Sequence, residues 1–250
     1  MRARVAIVTG SSSGIGAATA LELSRRGWNV AVNYSKSAHE AHDVAAQCRE
    51  AIVVQADVGQ DAECRRLVQA ALDRWGRIDA LVNNAGATKF VPHAKLDELS
   101  DEDFLRIYRV NVVAAFQMTR ACAEALKQAR GAVVNVSSLA AFLGTGSSIA
   151  YAASKGALNT LTLSLARVLA PEVRVNAVQP GVVDTPWMHA GYGAERFREL
   201  SARYAANAPL KSTCQPGDVA ETICWLIEGG RMVTGETVFV DAGFHLATPR

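Results

Sequence analysis

The sequence predicts a single doubly wound α/β domain: a seven-stranded parallel sheet with helices on both faces. Three observations carry this. Short apolar runs and helix-length segments alternate from end to end of the 250-residue chain. Such alternation forces parallel strands joined by helical crossovers. The apolar runs are also continuous, as a sheet buried on both faces requires. And the first of them is followed at once by a Gly/Ser-rich turn. No internal repeat, low-complexity tract or linker divides the chain, so residues 1–250 read as one domain.

The elements follow in order. Arg4 to Thr9 is rich in β-branched residues and reads as a buried strand. Gly10 to Gly16 is the turn. Ala17 to Arg26 holds helix formers and stops at Gly27. Asn29–Asn33 and Ile52–Gln55 are strands, separated by a helix over Ala38–Glu50. A helix over Asp61–Trp75 precedes a strand over Ile78–Val82. Asp101–Gln128 is one long helical pattern, with Ser100 placed to cap it. Ala132–Val136 is the fifth strand. Ile149–Ala170 is a helix closed by Pro171, and Val173–Val178 is the sixth strand. Helices over Ala194–Ala206 and Pro216–Glu228 lead to a last strand, Glu236–Val240.

Composition removes several function classes. Half the residues are apolar, 20% are charged, and Lys plus Arg (26) nearly balance Asp plus Glu (24), for a net charge of +2. A disordered chain needs lower hydrophobicity, and a nucleic-acid binder usually carries a stronger basic excess. Nineteen glycines and five cysteines exclude collagen and a disulfide scaffold. Cys48, Cys64, Cys122, Cys214 and Cys224 show no C-x-x-C spacing, and are expected as buried thiols in a reducing compartment. Met-Arg-Ala-Arg enters the first strand directly, which leaves no room for a signal peptide; a cytoplasmic location is expected. Gly131 to Ser154 is uncharged and long enough to span a bilayer. Asn135, five serines, Gly144 and Gly146 make it a poor membrane helix, so a strand, loop and helix start are expected instead. His39 and His42 lie three apart on a helix with no third ligand near, so no metal site is expected.

The chemistry concentrates in a few places. The turn Gly10-Ser11-Ser12-Ser13-Gly14-Ile15-Gly16 joins the first strand to the first helix. There, glycines admit a pyrophosphate close to the backbone, and the helix N-terminus offers N–H groups and a positive dipole end. The glycine spacing differs from the usual G-x-G-x-x-G fingerprint. A ribose 2′-hydroxyl is normally held by an acid at the end of the second strand, yet the first acid after Trp28 is Glu40. Tyr34, Ser35 and Lys36 stand there instead, and a hydroxyl with an ammonium suits a 2′-phosphate. NADP(H) is therefore favoured over NAD(H), with use of both left open.

Tyr151 and Lys155 share one helix face. A nearby ammonium favours the phenolate and is expected to lower the phenol pKa from its ordinary value of about 10. Ser138 follows the fifth strand, at the sheet edge where ligands bind in such folds. His93 and His189 fall in loops near the same crevice. Trp187, Met188, Tyr192, Phe197 and Tyr204 form a candidate lid over an apolar substrate. The helix from Ile149 to Ala170 carries only Lys155 and Arg167 as charges, so a second buried side is expected, against another subunit.

Taken in order, Thr9-Gly10-x-x-x-Gly14-x-Gly16, Asn83-Asn84-Ala85-Gly86, Asn111, Ser138, Tyr151-x-x-x-Lys155 and Pro180-Gly181 resemble the short-chain dehydrogenase/reductases over essentially the whole chain. Within that family the chain is most similar to 3-oxoacyl-carrier-protein reductases and to sugar or alcohol dehydrogenases. The resemblance implies a Rossmann-type fold and interconversion of a ketone and a secondary alcohol. It implies Tyr151 as general acid and base, Lys155 as its tuner and ribose ligand, and Ser138 as carbonyl partner. Asn111 would hold a water leading to Lys155. Asp57, followed by Val58, would meet the adenine. Asn83, Ala85 and Gly86 would line the cofactor, and Pro180, Gly181, Val183 and Thr185 would seat the nicotinamide. A homotetramer is implied too.

Two departures stand out. Ser13 occupies a position where many NADP-dependent relatives carry arginine, and Ala170-Pro171-Glu172 lacks the basic residue of the carrier-protein reductases. A sugar or polyol dehydrogenase working in the oxidative direction, and an NADP-binding regulator without turnover, remain as alternatives. A methyltransferase would share the turn but has no use for Ser138, Tyr151 and Lys155. Specificity is expected from Ala87–Leu96, Leu139–Ser148 and a substrate loop over about 186–215.

Overall fold

Strand β1 (Val5–Val8) shows how the sheet is buried on both sides. Its four residues have no exposure, and they alternate between two cores. Ala6 and Val8 face one, Ile7 the other, as the two-residue period of a strand demands. In the computed structural model, which describes residues 3–247, β1 leads through the glycine turn into α1 (Gly14–Arg25). Then come β2 (Asn29–Tyr34), α2 (Ala38–Ala46), β3 (Ala51–Gln55), α3 (Asp61–Trp75) and β4 (Ala80–Asn83). The middle of the chain holds α4 (Asp101–Tyr108), α5 (Ala114–Ala129), β5 (Ala132–Val136), the single turn α6 (Ala140–Leu143) and α7 (Ile149–Leu169). It closes with β6 (Arg174–Pro180), α8 (Pro186–Tyr192), α9 (Ala194–Asn207), α10 (Pro216–Glu228) and β7 (Thr237–Val240).

The seven strands are parallel throughout, in the order β3-β2-β1-β4-β5-β6-β7. Leu23 of α1 and Ile223 of α10 pack with Ala6 and Val8. Leu67 of α3, Met118 of α5 and Leu165 of α7 pack with Ile7 on the opposite face. Strand order reverses between β1 and β4, which opens a crevice at their carboxyl ends. Arg174 anchors the far side: its guanidinium donates to the carbonyls of Leu226, Ile227 and Gly230 at 2.6–2.8 Å, capping the C-terminus of α10.

Several bounds differ from the sequence reading, and four differences are instructive. The helix expected over 38–50 ends at Ala46, because the Arg49 N–H leaves to donate to Ser24 Oγ (2.8 Å). The strand expected from Ile78 begins at Ala80: Asp79 instead accepts the Val5 N–H through its carboxylate (2.9 Å). The pattern over 101–128 is helical but broken by one π-helical turn, Arg109–Val113. Residues 186–192, read as loop, form α8, with Thr185 as cap and Pro186 in its first turn. The uncharged stretch 131–154 is β5, α6 and the start of α7. Among the described residues no helix is long and apolar enough to cross a membrane, and no group of three or more His, Cys, Asp or Glu side chains could hold a metal ion. All five cysteines are free thiols; only Cys48 is less than buried.

Candidate active site

The turn after β1 is shaped for close approach. Gly10 and Gly14 have φ of +61° and +56°, the left-handed region where a side chain is strained. Gly16 is restricted by space: a Cβ there would collide with Asn84 Nδ2 and the Gly10 carbonyl. Ser13 precedes α1 without capping it through its side chain, and the first turn has no acid. The N–H groups of Gly14, Ile15 and Gly16 thus present an uncapped positive helix end. This cradle fits a dinucleotide pyrophosphate.

Three residues to which sequence reasoning gave no role hold the cradle. The Asn33 amide accepts from the Gly10 N–H (3.0 Å) and donates to Val54 O and Ala56 O, tying the turn to β2 and β3. Thr9 Oγ1 accepts from the N–H groups of Asn84 and Ala85, both at 3.0 Å. Asn84 Nδ2 donates back to Thr9 O and Gly10 O. Thr9 and Asn84 belong to the motifs that carry the family resemblance, and all three sit at carboxyl ends of strands.

Beyond β2, Tyr34 is half-buried while Ser35 and Lys36 are exposed, with no carboxylate before Glu40. Asp57 is exposed and its carboxylate accepts the Gly59 N–H (3.0 Å); the Val58 side chain points into the core. The Asn83 amide also faces inward. It donates to Asn135 Oδ1 (2.9 Å), and its own Oδ1 is buried without a partner. From the other end of the chain, Thr185 reaches this crevice: a Cβ on Gly14 would lie 3.3 Å from its methyl group. Pro180 O accepts from the Leu139 N–H (2.9 Å), and Gly181 N donates to Val240 O (3.0 Å). Gly181 must lack a side chain because the Tyr204 hydroxyl fills the space. Val183 is buried and bridges to Cys214.

The polar centre lies beside β5. Ser148 caps α7 by accepting the Tyr151 N–H (3.2 Å). Lys155 is 3% exposed, and its ammonium donates to Val136 O (2.7 Å) while lying 5.5 Å from the Tyr151 ring centroid. Asn111, in the π turn, donates to Ala87 O (3.0 Å) and Ser154 Oγ (2.9 Å) and accepts from the Ala87 N–H (2.7 Å). Ser154 Oγ donates in turn to Tyr151 O (2.7 Å). The π turn places Asn111 where it joins the loop after β4 to the start of α7. A Cβ on Gly86 would lie 3.5 Å from Asn111 Oδ1 and 3.9 Å from Lys155 Nζ, so these three residues come together.

Burial governs the protonation of this pair. Desolvation pushes the Tyr151 phenol up to about 12; the Ser138 hydroxyl works against the shift and Tyr192 adds to it. Desolvation alone pulls the Lys155 ammonium down to about 8. The expected lowering of the phenol by its lysine neighbour is therefore overturned in the protein alone. Both groups are driven towards their neutral forms, and the neutral phenol is the form able to donate a proton.

A cavity of about 940 Å³ opens beside Ser138 and Tyr151. Of the expected lid residues, Trp187, Met188, Tyr192 and Tyr204 line it; Phe197 is buried against His189 (4.4 Å). His189 is held by Asp184 (2.7 Å), and His93 lines the cavity wall. His39 pairs with Asp43 on the exposed face of α2. Missed from the sequence were Phe90, Arg196 and Arg203, which also line the cavity. They fall within the segments 87–96 and 186–215 expected to set specificity, but nothing local marks them individually.

Known proteins share this fold. Residues 10–245 match the family profile described as "Enoyl-(Acyl carrier protein) reductase". The chain is 42% identical over 245 residues to a protein provisionally named ketoacyl reductase 2 of the granaticin polyketide synthase from Streptomyces violaceoruber, covering 98% of this chain and 97% of that one. It is 37% identical to the 3-oxoacyl-[acyl-carrier-protein] reductase of Synechocystis sp., with 97% of each covered. A crystal structure from Burkholderia xenovorans, provisionally assigned as a short-chain dehydrogenase/reductase, superposes with a TM-score of 0.92 at 44% identity, covering 99% of this chain and 100% of that one. The chain belongs to the short-chain dehydrogenase/reductase family and is an NAD(P)-dependent oxidoreductase.

Proposed function

We propose that this chain reduces a ketone to a secondary alcohol, with NADP(H) preferred over NAD(H). The observation that carries the reading is the buried Tyr151–Lys155 pair beside Ser138, at the mouth of one large cavity. The nicotinamide cofactor supplies the hydride when bound. Gly10, Ser12, Ser13, Gly14, Ile15 and Gly16 would hold its pyrophosphate, Tyr34, Ser35 and Lys36 its 2′-phosphate, and Asp57 and Val58 its adenine. Asn83, Ala85 and Gly86 would line the middle, and Pro180, Gly181, Val183 and Thr185 the nicotinamide end. The set has two cationic elements for the phosphates, the α1 N-terminus and Lys36, and no carboxylate at the end of β2.

The phenol of Tyr151 keeps its proton at neutral pH and gives it to the carbonyl oxygen as charge develops there. Ser138 Oγ orients that oxygen. Lys155, charged below about pH 8, steadies the phenolate left behind. Asn111 holds the loop after β4 against α7 and would lead a proton path to Lys155. The lid and the loops around 87–96 and 139–148 set what enters. The reading includes a cytoplasmic location and a homotetramer; cell fractionation checks the first and light scattering the second.

The test follows reduced-nicotinamide absorbance over a panel of ketones and alcohols with both cofactors. Ketone reduction is expected, with kcat/KM at least tenfold higher for NADPH than for NADH. Tyr151→Phe is expected to lower kcat by about 10³-fold or more while NADP+ affinity stays within a factor of three. A variant that keeps near-parental turnover overturns the mechanism; a parent protein that binds NADP+ but turns nothing over points to a regulator.

A further inference from the structure

At about 940 Å³ the cavity lies near the top of the range that drug-sized ligands fill, roughly 300–1,000 Å³. A small ketone would leave most of it to water. Its lining varies in chemistry from part to part. The part next to Tyr151 is aromatic: Phe90 meets Trp187 edge-on at 5.7 Å and Tyr192 at 4.9 Å, and Trp187 lies 5.8 Å from the Tyr151 ring. This wall is closely packed. The Phe90 ring lies so close to the Gly191 backbone that a Cβ there would collide with it. Trp187 nevertheless stays 40% exposed, so indole surface is left open. Packed ring surfaces favour a flat, rigid guest, which has no rotamers to freeze and pairs with them through its π-system.

Beyond Tyr192 the lining turns cationic. Arg196, Glu199 and Arg203 lie at i, i+3 and i+7 on α9 and face the cavity together. Two guanidinium groups outweigh one carboxylate there. The Arg196 guanidinium is held 5.7 Å over the Tyr192 ring, at the join between the aromatic wall and the charged rim. Guanidinium is the side chain best shaped to take a carboxylate or phenolate through paired N–H donors.

We infer that the cavity takes a ketone built on a flat, multi-ring aromatic frame with an acidic group remote from the carbonyl. The rings lie along Trp187 and Tyr192, and the acid meets Arg196 and Arg203. The inference rests on the ketone-reductase reading and narrows it to a substrate class. A flexible acyl thioester with a phosphate at its far end would use the same rim but gain less from the rings.

Binding and turnover are measured separately. Calorimetric titrations of the full chain with saturating NADP+ compare 2-naphthoate, 2-naphthylmethanol and octanoate. Naphthoate is expected to bind at least tenfold tighter than either of the others. Arg196→Gln with Arg203→Gln is expected to erase the advantage of naphthoate over the alcohol, and Gly191→Ala, by displacing Phe90, to erase its advantage over octanoate. Equal affinities in the parent protein, or an advantage that survives the paired arginine change, overturn the inference. NADPH oxidation with 1-tetralone tests the underlying reading. If tetralone is reduced but the binding pattern fails, the substrate class alone is wrong. If the pattern holds and neither 1-tetralone nor its 6-carboxy derivative is reduced, the reductase reading falls, and the substrate assignment falls with it, leaving an aromatic-acid site.

Discussion

Lys155 pairs a functional requirement with a structural cost. Its ammonium is nearly fully buried and donates to one carbonyl, Val136 O. Its folded pKa of about 8 lies below the ordinary 10.5, so between these values the unfolded chain binds the proton more readily. Stability therefore rises with pH through that window, and the cost of the buried charge is present in full below about pH 8. Lys155→Met removes the charge and also the hydrogen bond. The variant is expected to lose turnover yet gain on the order of 2 kcal/mol at pH 7, with the gain shrinking by pH 10. Urea unfolding at the two pH values checks this; a destabilised variant at pH 7 would refute it. The pairing of Tyr151 with Lys155 was legible in the sequence because i and i+4 share a helix face. The direction of the Tyr151 shift was not, because spacing names a neighbour and says nothing of how much water both have lost.

At the scale of the element, the β1–α1 turn is fixed by what lies against it. Gly16 needs no unusual φ; it needs room beside Asn84 and Gly10. Gly16→Ala would force Asn84 Nδ2 away from the Thr9 and Gly10 carbonyls it joins. We expect a loss of about 1–3 kcal/mol in stability, as for other overpacked sites, and at least tenfold weaker NADP+ binding. Thermal unfolding and calorimetry measure the two, and unchanged cofactor affinity would show that the turn does not depend on that contact. Elements marked by local signals were readable: α3 and β5 have the bounds their apolar patterns mark. The π turn at Asn111 was not, because bonds to Ala87 and Ser154 in other segments impose it. Helix α8 did carry a signal, Thr185 followed by Pro186, and the aromatic residues behind it drew the reading towards a loop instead.

For the whole molecule, the sparse charge of α7 has a counterpart in exposed apolar surface. Leu163 and Val168 are 42% and 69% exposed, and Phe116 on α5 is 41% exposed. An apolar surface of this kind is usually covered by a partner. We expect a tetramer by light scattering, and Leu163→Glu with Val168→Glu to give smaller species. A parent protein eluting as a monomer would remove this expectation. The fold itself was the most legible property, since alternation of strand and helix along the whole length leaves few topologies open. The cavity was the least, since Phe90, Trp187 and Arg196 meet only after the sheet has brought their segments together.

The Tyr204 hydroxyl donates to Asp241 O (2.8 Å), and the Asp241 carboxylate accepts the N–H groups of Gly243 and His245 at 2.9 and 2.7 Å. The distal half of α9 is thereby moored to the end of the sheet, whereas α8 hangs between its Thr185 cap and Gly193, whose φ is +78°. A guest is expected to enter by movement of α8 about Gly193, and not by movement of the moored half of α9. Hydrogen–deuterium exchange should register this asymmetry: amides of 187–192 should exchange at least tenfold faster than those of 201–207, and should slow when the cavity is filled. Uniform exchange across both helices would mean that α8 and α9 open as one body.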